Sequence, residues 1–142
     1  MSTQSYKTAR FGEIEVEPNA ILEFPAGLPA FPEMKRFTML ALNADSPFQW
    51  LQSLDDPDLA FALIEPQNHF PDYHVQIKRE ELAALEFGKE DKLMIYVIIT
   101  LDDDPAATTV NLKAPLLINA RNLLGRQIVL KDGLLPVTRP IL

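Results

Sequence analysis

Twelve prolines and five glycines are scattered along the whole of this 142-residue chain, and the stretches between them are short and rich in Val, Ile, Leu, Phe and Thr. Such punctuation favours short strands joined by frequent turns over long helices. Ile14 and Val16 alternate with Glu13, Glu15 and Glu17, giving a strand with one apolar and one solvated face, as on the surface of a barrel or sandwich. Further strands are predicted at 20–24, 36–42, 48–54, 60–65, 92–101, 108–112, 116–119 and 127–130. Only 78–87 reads as helical, with Ile77, Leu82 and Leu85 at helix spacing and Glu80, Glu81 and Glu86 on the outer face. Pro115 interrupts the strand carrying Val110 and Leu112, because proline cannot donate to a ladder, and predicts a corner between sheet segments. Asp102, Asp103, Asp104 and Pro105 predict a solvated turn after the most apolar strand. The expectation is a mainly β fold: a small antiparallel barrel-like sheet of about nine short strands with one short helix, in a single domain over residues 1–142.

Composition narrows the function. The hydrophobic share of 47% against 23% charged supplies a core, and a chain this long buries roughly two-thirds of its unfolded surface. A net charge of −7 opposes sequence-independent binding to nucleic-acid phosphates and suits a basic partner. The charge is uneven: residues 1–104 carry 8 basic and 19 acidic side chains, residues 105–142 carry 5 and 1. Without cysteine there is no disulfide, thiolate nucleophile or Cys-ligated metal site. The first residues lack the apolar core of a secretory signal, and the longest apolar run, 93–99, is far short of the ~20 residues that span a bilayer. A cytoplasmic protein without membrane contact is expected.

No catalytic constellation emerges. Asp55, Asp56 and Asp58 around Pro57 lack the ligand pattern and glycine of an EF-hand loop and read as a polar turn between strands. A hydrolase using these carboxylates is the most distant alternative. His69 and His74, the two histidines, are five apart with Pro71 between them; loop histidines fit better than a zinc site completed by Asp72. Ser46 and Ser53 lie outside any nucleophile elbow, and the glycines form no phosphate-cradling loop. Phe48 and Trp50 share a strand face, which reads as core; in a barrel-type nucleic-acid-binding module Phe48, Trp50 or Tyr96 would instead stack bases. The acidic balance opposes the second reading. No catalytic residue, metal or cofactor is expected.

Four segments in order resemble the flagellar assembly factor FliW family. Phe11-Gly12-Glu13-Ile14-Glu15-Val16 is similar to its opening strand, and Phe24-Pro25-Ala26-Gly27-Leu28-Pro29-Ala30-Phe31 to its F-P-x-G-[IL]-P-G-F turn, with Ala30 in place of the last glycine. A block running from Pro47 and Phe48 through Gln52, Ser53 and Leu54 to Ala60 and Phe61 resembles P-F-x-x-L-Q-S-[VL]-x-x-P-x-[LV]-A-F. Thr109-Val110-Asn111-Leu112-Lys113-Ala114-Pro115-Leu116-Leu117-Ile118-Asn119 follows T-x-N-L-x-A-P-[IL]-[VL]-[IL]-N, with Gln127-Ile128-Val129-Leu130 after it.

The resemblance implies a cytoplasmic, non-enzymatic factor with two protein partners, flagellin and the RNA-binding translational repressor CsrA, that couples flagellin synthesis to secretion without touching nucleic acid itself. Candidate partner-binding residues are Phe48, Trp50, Gln52, Ser53, Asn111, Lys113 and Asn119. Asn111 and Asn119 also suit turn caps at the Pro115 corner, and Gln52 and Ser53 suit structural roles. An exposed strand edge, not identifiable from sequence, is a further docking element by β-augmentation.

Overall fold

The structure, a computed structural model, describes residues 3–29, 31–41, 48–68, 70–71, 73–100, 107–130 and 139–140. In chain order the strands are β1 (Gln4–Thr8), β2 (Gly12–Val16), β3 (Ile21–Glu23), β4 (Arg36–Leu40), β5 (Gln49–Ser53), β6 (Ala60–Ile64), β7 (Leu93–Thr100), β8 (Thr109–Val110), β9 (Leu116–Asn119), β10 (Gly125–Gln127) and β11 (Arg139–Pro140). Among the described residues one α-helix, α1 (Arg79–Ala84), interrupts them. The mainly β, barrel-like architecture expected from the proline pattern is therefore the one observed.

β3 to β7 form an antiparallel meander, and the long β7 then divides its far edge: Leu93 to Tyr96 pair with β9, Ile99 and Thr100 with β8. β10 pairs beyond β9, so the row runs β10-β9-β7-β6-β5-β4-β3. Its two ends curl until they meet. The N–H of Glu23 donates to the C=O of Leu123 at 3.0 Å, and Glu23 and Leu124 form a parallel bridge. A side chain at Gly125 would place its Cβ 2.5 Å from the Phe24 ring, so glycine is what lets this fully buried ring fill the seam. Phe24 also meets Phe37 edge-to-face, with centroids 5.3 Å apart.

Because side chains alternate across a strand, the sheet has two cores. Leu22, Phe37, Leu51, Leu63, Tyr96, Leu116 and Ile118 share one cluster with Phe24 and Leu28 inside the curl. On the other face Ala62, Ile64, Val97, Ile99, Val110 and Leu117 pack with Leu85 after the helix and with Phe70, Tyr73, Leu112, Ile128 and Leu130. Tyr73 is tied there by its hydroxyl, which donates to the Leu112 C=O at 2.6 Å, and burial pushes its pKa up to about 12.

Several local expectations change. The alternation in β2 holds, with Val16 buried and Glu13, Glu15 and Glu17 exposed, but β2 pairs with β1 in a separate two-stranded ribbon and is no barrel stave. β1, polar throughout, carries no periodic signal; it forms because Gly12, at φ +69°, turns the chain back, and the Thr8 hydroxyl both accepts from the Phe11 N–H and donates to the Gly12 C=O, each at 2.8 Å. α1 is shorter than 78–87: Glu86 lies beyond it at φ 52°. Glu81 is turned to Arg126, 2.6 Å away, and so leaves the outer face predicted for it. The strand predicted at 127–130 is observed as Gly125–Gln127. The chain still runs on beside 113–115, with Ile128 N–H donating to Pro115 C=O and Leu130 N–H to Lys113 C=O, but Pro115 returns no N–H and the ladder lapses. Ala30, Ser46, His69, Asp72 and the turn at 102–105 lie outside the described residues.

Candidate partner-binding surface

Trp50 and Gln52 point to the same side of β5, with Phe48 just before the strand, while Leu51 and Ser53 point to the other. The turn of the β1–β2 ribbon lies over this side. The Ala9 N–H donates to the Pro57 C=O at 3.0 Å, the Phe11 ring stands edge-on to Trp50 with centroids 5.7 Å apart, and the Arg10 guanidinium sits 4.4 Å from the indole centroid. Arg10 is exposed and Trp50 half-buried, so an aromatic surface rimmed by a cation faces outward. Beside it opens a cleft of about 410 Å³ lined by Ala9, Arg10, Gln52, Pro57, Asp58 and Ala60.

Gln52 and Ser53 build this region from within. Gln52 is fully buried, and its amide Nε2 donates to the carbonyls of Ser53 (2.9 Å), Leu59 (3.1 Å) and Pro57 (3.4 Å), holding the 53–59 turn closed. The Ser53 hydroxyl accepts from the N–H groups of Asp55 (3.1 Å) and Asp56 (3.0 Å). Asp55 accepts from the N–H groups of Lys35 and Arg36, each at 3.0 Å, and from the Arg36 guanidinium. Burial pushes the Asp55 carboxyl up, but those backbone donors and Arg36 together outweigh it and hold the group below the usual carboxylate range. Asp56 accepts from the Asp58 N–H at 2.9 Å. The three aspartates thus make the polar turn expected of them, and among the described residues no group of three His, Asp or Glu is arranged to hold a metal ion.

The other candidates lie at the two ends of β9. At its start is the Pro115 corner, where Asn111 accepts the Lys113 N–H at 3.1 Å and Gln127 donates to the Ala114 C=O at 3.0 Å. Asn111 and Lys113 remain half-exposed. Phe48 and Trp50 flank the same core that takes Val110 and Leu112 from this corner, whereas Asn111 and Lys113, at the alternate positions, are not part of that core. Asn119, at the opposite end of β9, is fully buried: it donates to the Leu85 C=O and to Asp91, both at 3.1 Å, and accepts the Arg121 N–H at 3.0 Å. Arg121 closes the clamp onto Asp91 at 2.8 Å and the Glu86 C=O at 2.8 Å. The Arg121 hydrogen bond and the Gly88 N–H hold the Asp91 pKa down to about 2. Sequence reasoning does not single out Arg10 and Phe11; the one signal it offers is that Phe11 opens a family-like segment, while contact with Trp50 arises only when the ribbon folds over β5.

Comparison with known proteins agrees with this architecture. The sequence model of the family described as FliW protein matches residues 5–141. The flagellar assembly factor FliW of Thermoanaerobacter pseudethanolicus is 38% identical over 136 residues, covering 95% of this chain and 91% of that protein. That of Geobacillus kaustophilus is 42% identical over 125 residues, covering 88% and 86%. A crystal structure of the flagellar assembly factor FliW superposes with a TM-score of 0.90 at 36% identity, covering 97% of this chain and 96% of that one.

Proposed function

The chain belongs to the FliW family of flagellar assembly factors, and from that premise we propose that it acts in the cytoplasm by binding newly made flagellin and the RNA-binding repressor CsrA, without catalysis and without contacting nucleic acid itself. Flagellin occupies the factor until it is secreted; the released factor then antagonises the repressor, and synthesis follows export. The observation that carries this reading is the match along nearly the whole chain, residues 5–141. Among the described residues no helix is long and apolar enough to cross a membrane.

The surface around Trp50 supports a binding role. Direct contacts are assigned to Phe48, Trp50, Asn111 and Lys113, whose side chains retain exposure, whereas Gln52, Ser53 and Asn119 position the turns from beneath. Antagonism follows from charge. A repressor is basic where it grips RNA, so a body of net charge −7 docked beside that surface lowers the local potential and disfavours phosphate. Glu13 and Glu15 on β2, and Glu17 just past its end, present part of that charge as exposed side chains.

Size-exclusion chromatography of the pure protein mixed in turn with flagellin monomer, CsrA and single-stranded RNA tests the proposal. It predicts complexes with the first two and none with RNA; RNA binding alone favours a nucleic-acid-binding module and contradicts it.

A further inference from the structure

β7 is two-sided, and hydrogen-bond parity shows which backbone groups face which neighbour. The Ala120 N–H donates to the Lys92 C=O and the Asn111 N–H to the Ile98 C=O, so even-numbered residues of this stretch bond toward β9 and β8. Odd-numbered residues, Leu93, Ile95, Val97 and Ile99, therefore present N–H and C=O toward β6. Pairing with β6 covers Val97, Ile98 and Ile99 only. Continuing that register would set Pro66 opposite Ile95, but proline has no N–H to give, its carbonyl accepts from Phe70 at 2.7 Å, and the chain leaves the ladder as a 3-10 turn over Pro66–Asn68 that stays in contact with β7.

Where β6 stops, a cleft of about 210 Å³ opens, lined by Glu65, Gln67, Leu93, Met94 and Ile95. No described strand pairs with Leu93 or Ile95 from this side. Glu65 is exposed at its mouth, takes part in no ion pair among the described residues, and lies near enough to Tyr96 to add to burial in raising that hydroxyl's pKa.

We infer that this half-edge of β7 is a β-augmentation site: an extended, basic segment of a partner protein adds there in line with β6, antiparallel to β7, hydrogen-bonding Leu93 and Ile95 and setting a Lys or Arg against Glu65. The occupant is basic because Glu65 is the charged group lining the cleft and the chain as a whole is acidic. Lys92, exposed beyond the strand start, places the favourable end at Ile95. The inference deepens the function proposed above by giving a protein partner a mode of contact, and it relies on that reading only for who the partner is.

The test is a titration of the 15N-labelled protein with an end-blocked hexapeptide of alternating lysine and valine, and with its glutamate counterpart. The Leu93 and Ile95 amides are expected to shift and exchange more slowly with the basic peptide alone, and Glu65→Lys to weaken that binding by about fivefold, the scale of an exposed ion pair turned repulsive. Leu93→Pro removes an edge donor at the first strand position, where proline is tolerated, and abolishes the shift at Ile95. Unmoved amides, equal response to both peptides, or shifts that follow protein concentration without peptide, as self-pairing would give, overturn the inference. Undiminished binding of flagellin and CsrA by a Glu65→Lys variant that has lost the peptide response leaves the functional proposal standing and removes the edge from it; failure of the wild-type protein to bind either removes the proposal alone.

Discussion

Two glycines show how differently one residue type is used. Gly12 sits at φ +69° with nothing within 4 Å of where a methyl group would stand, so Gly12→Ala costs only the backbone strain, about 1 kcal/mol. Gly125 has ordinary backbone but no room, and Gly125→Ala drives a methyl into Phe24, displacing a buried ring at about 1–3 kcal/mol. Urea midpoints are expected to fall further for the second variant; the reverse order would refute the account of the seam. Asp91 makes a pH prediction with a defined sign. Its folded pKa is about 2 against 3.8 for a free carboxylate, so its stabilisation is complete above the higher value and drains away as pH drops toward the lower. Asp55 is lowered too and adds to the same trend. Asp91→Asn should be less stable at neutral pH and flatter between about pH 4 and pH 2 in melting temperature; an unchanged acid slope would mean that the clamp with Arg121 contributes nothing.

At the scale of elements, the β1–β2 ribbon is held to the barrel by the backbone hydrogen bond from Ala9 to Pro57 and by the contacts of Arg10 and Phe11 with Trp50. Trp50 is the chain's one tryptophan, so its emission reports ribbon docking. Phe11→Ala should shift that emission to the red while the barrel's unfolding midpoint moves little, since among the described residues the ribbon's strands pair only with each other. Loss of the whole cooperative transition would show instead that the ribbon is integral to the core. This layer also marks where the sequence is legible. β3 to β7 and β9 are visible in it because short stretches rich in Val, Ile, Leu and Phe lie between Pro and Gly breaks, and the Pro115 corner because proline cannot donate. β1 is not, because Gln4–Thr8 owes its strand to a turn and a partner and has no pattern of its own. The 127–130 shift turns on Pro115, a residue on the neighbouring strand. Gln52, Ser53 and Asn119 show the same divide: their side-chain chemistry is evident from sequence, but that Gln52 closes a turn beneath Trp50 while Asn119 clamps Leu85 and Asp91 depends on which backbone carbonyls the fold brings within 3.5 Å.

For the whole molecule, the charge account predicts salt dependence. Exposed charges act over a Debye length of about 8 Å at physiological ionic strength, so release of RNA from CsrA should weaken as salt rises. A variant with Gln at Glu13, Glu15 and Glu17 should bind CsrA but release less RNA at low salt and converge with wild type at high salt; undiminished release would remove β2 from the mechanism. The central claim is that one acidic barrel is shared between two protein partners. Fluorescence anisotropy of a labelled flagellin-mRNA leader bound to CsrA measures it directly: the protein should lower the signal and added flagellin monomer should restore it. A signal that stays high when the protein is added, or stays low when flagellin follows, would contradict the account.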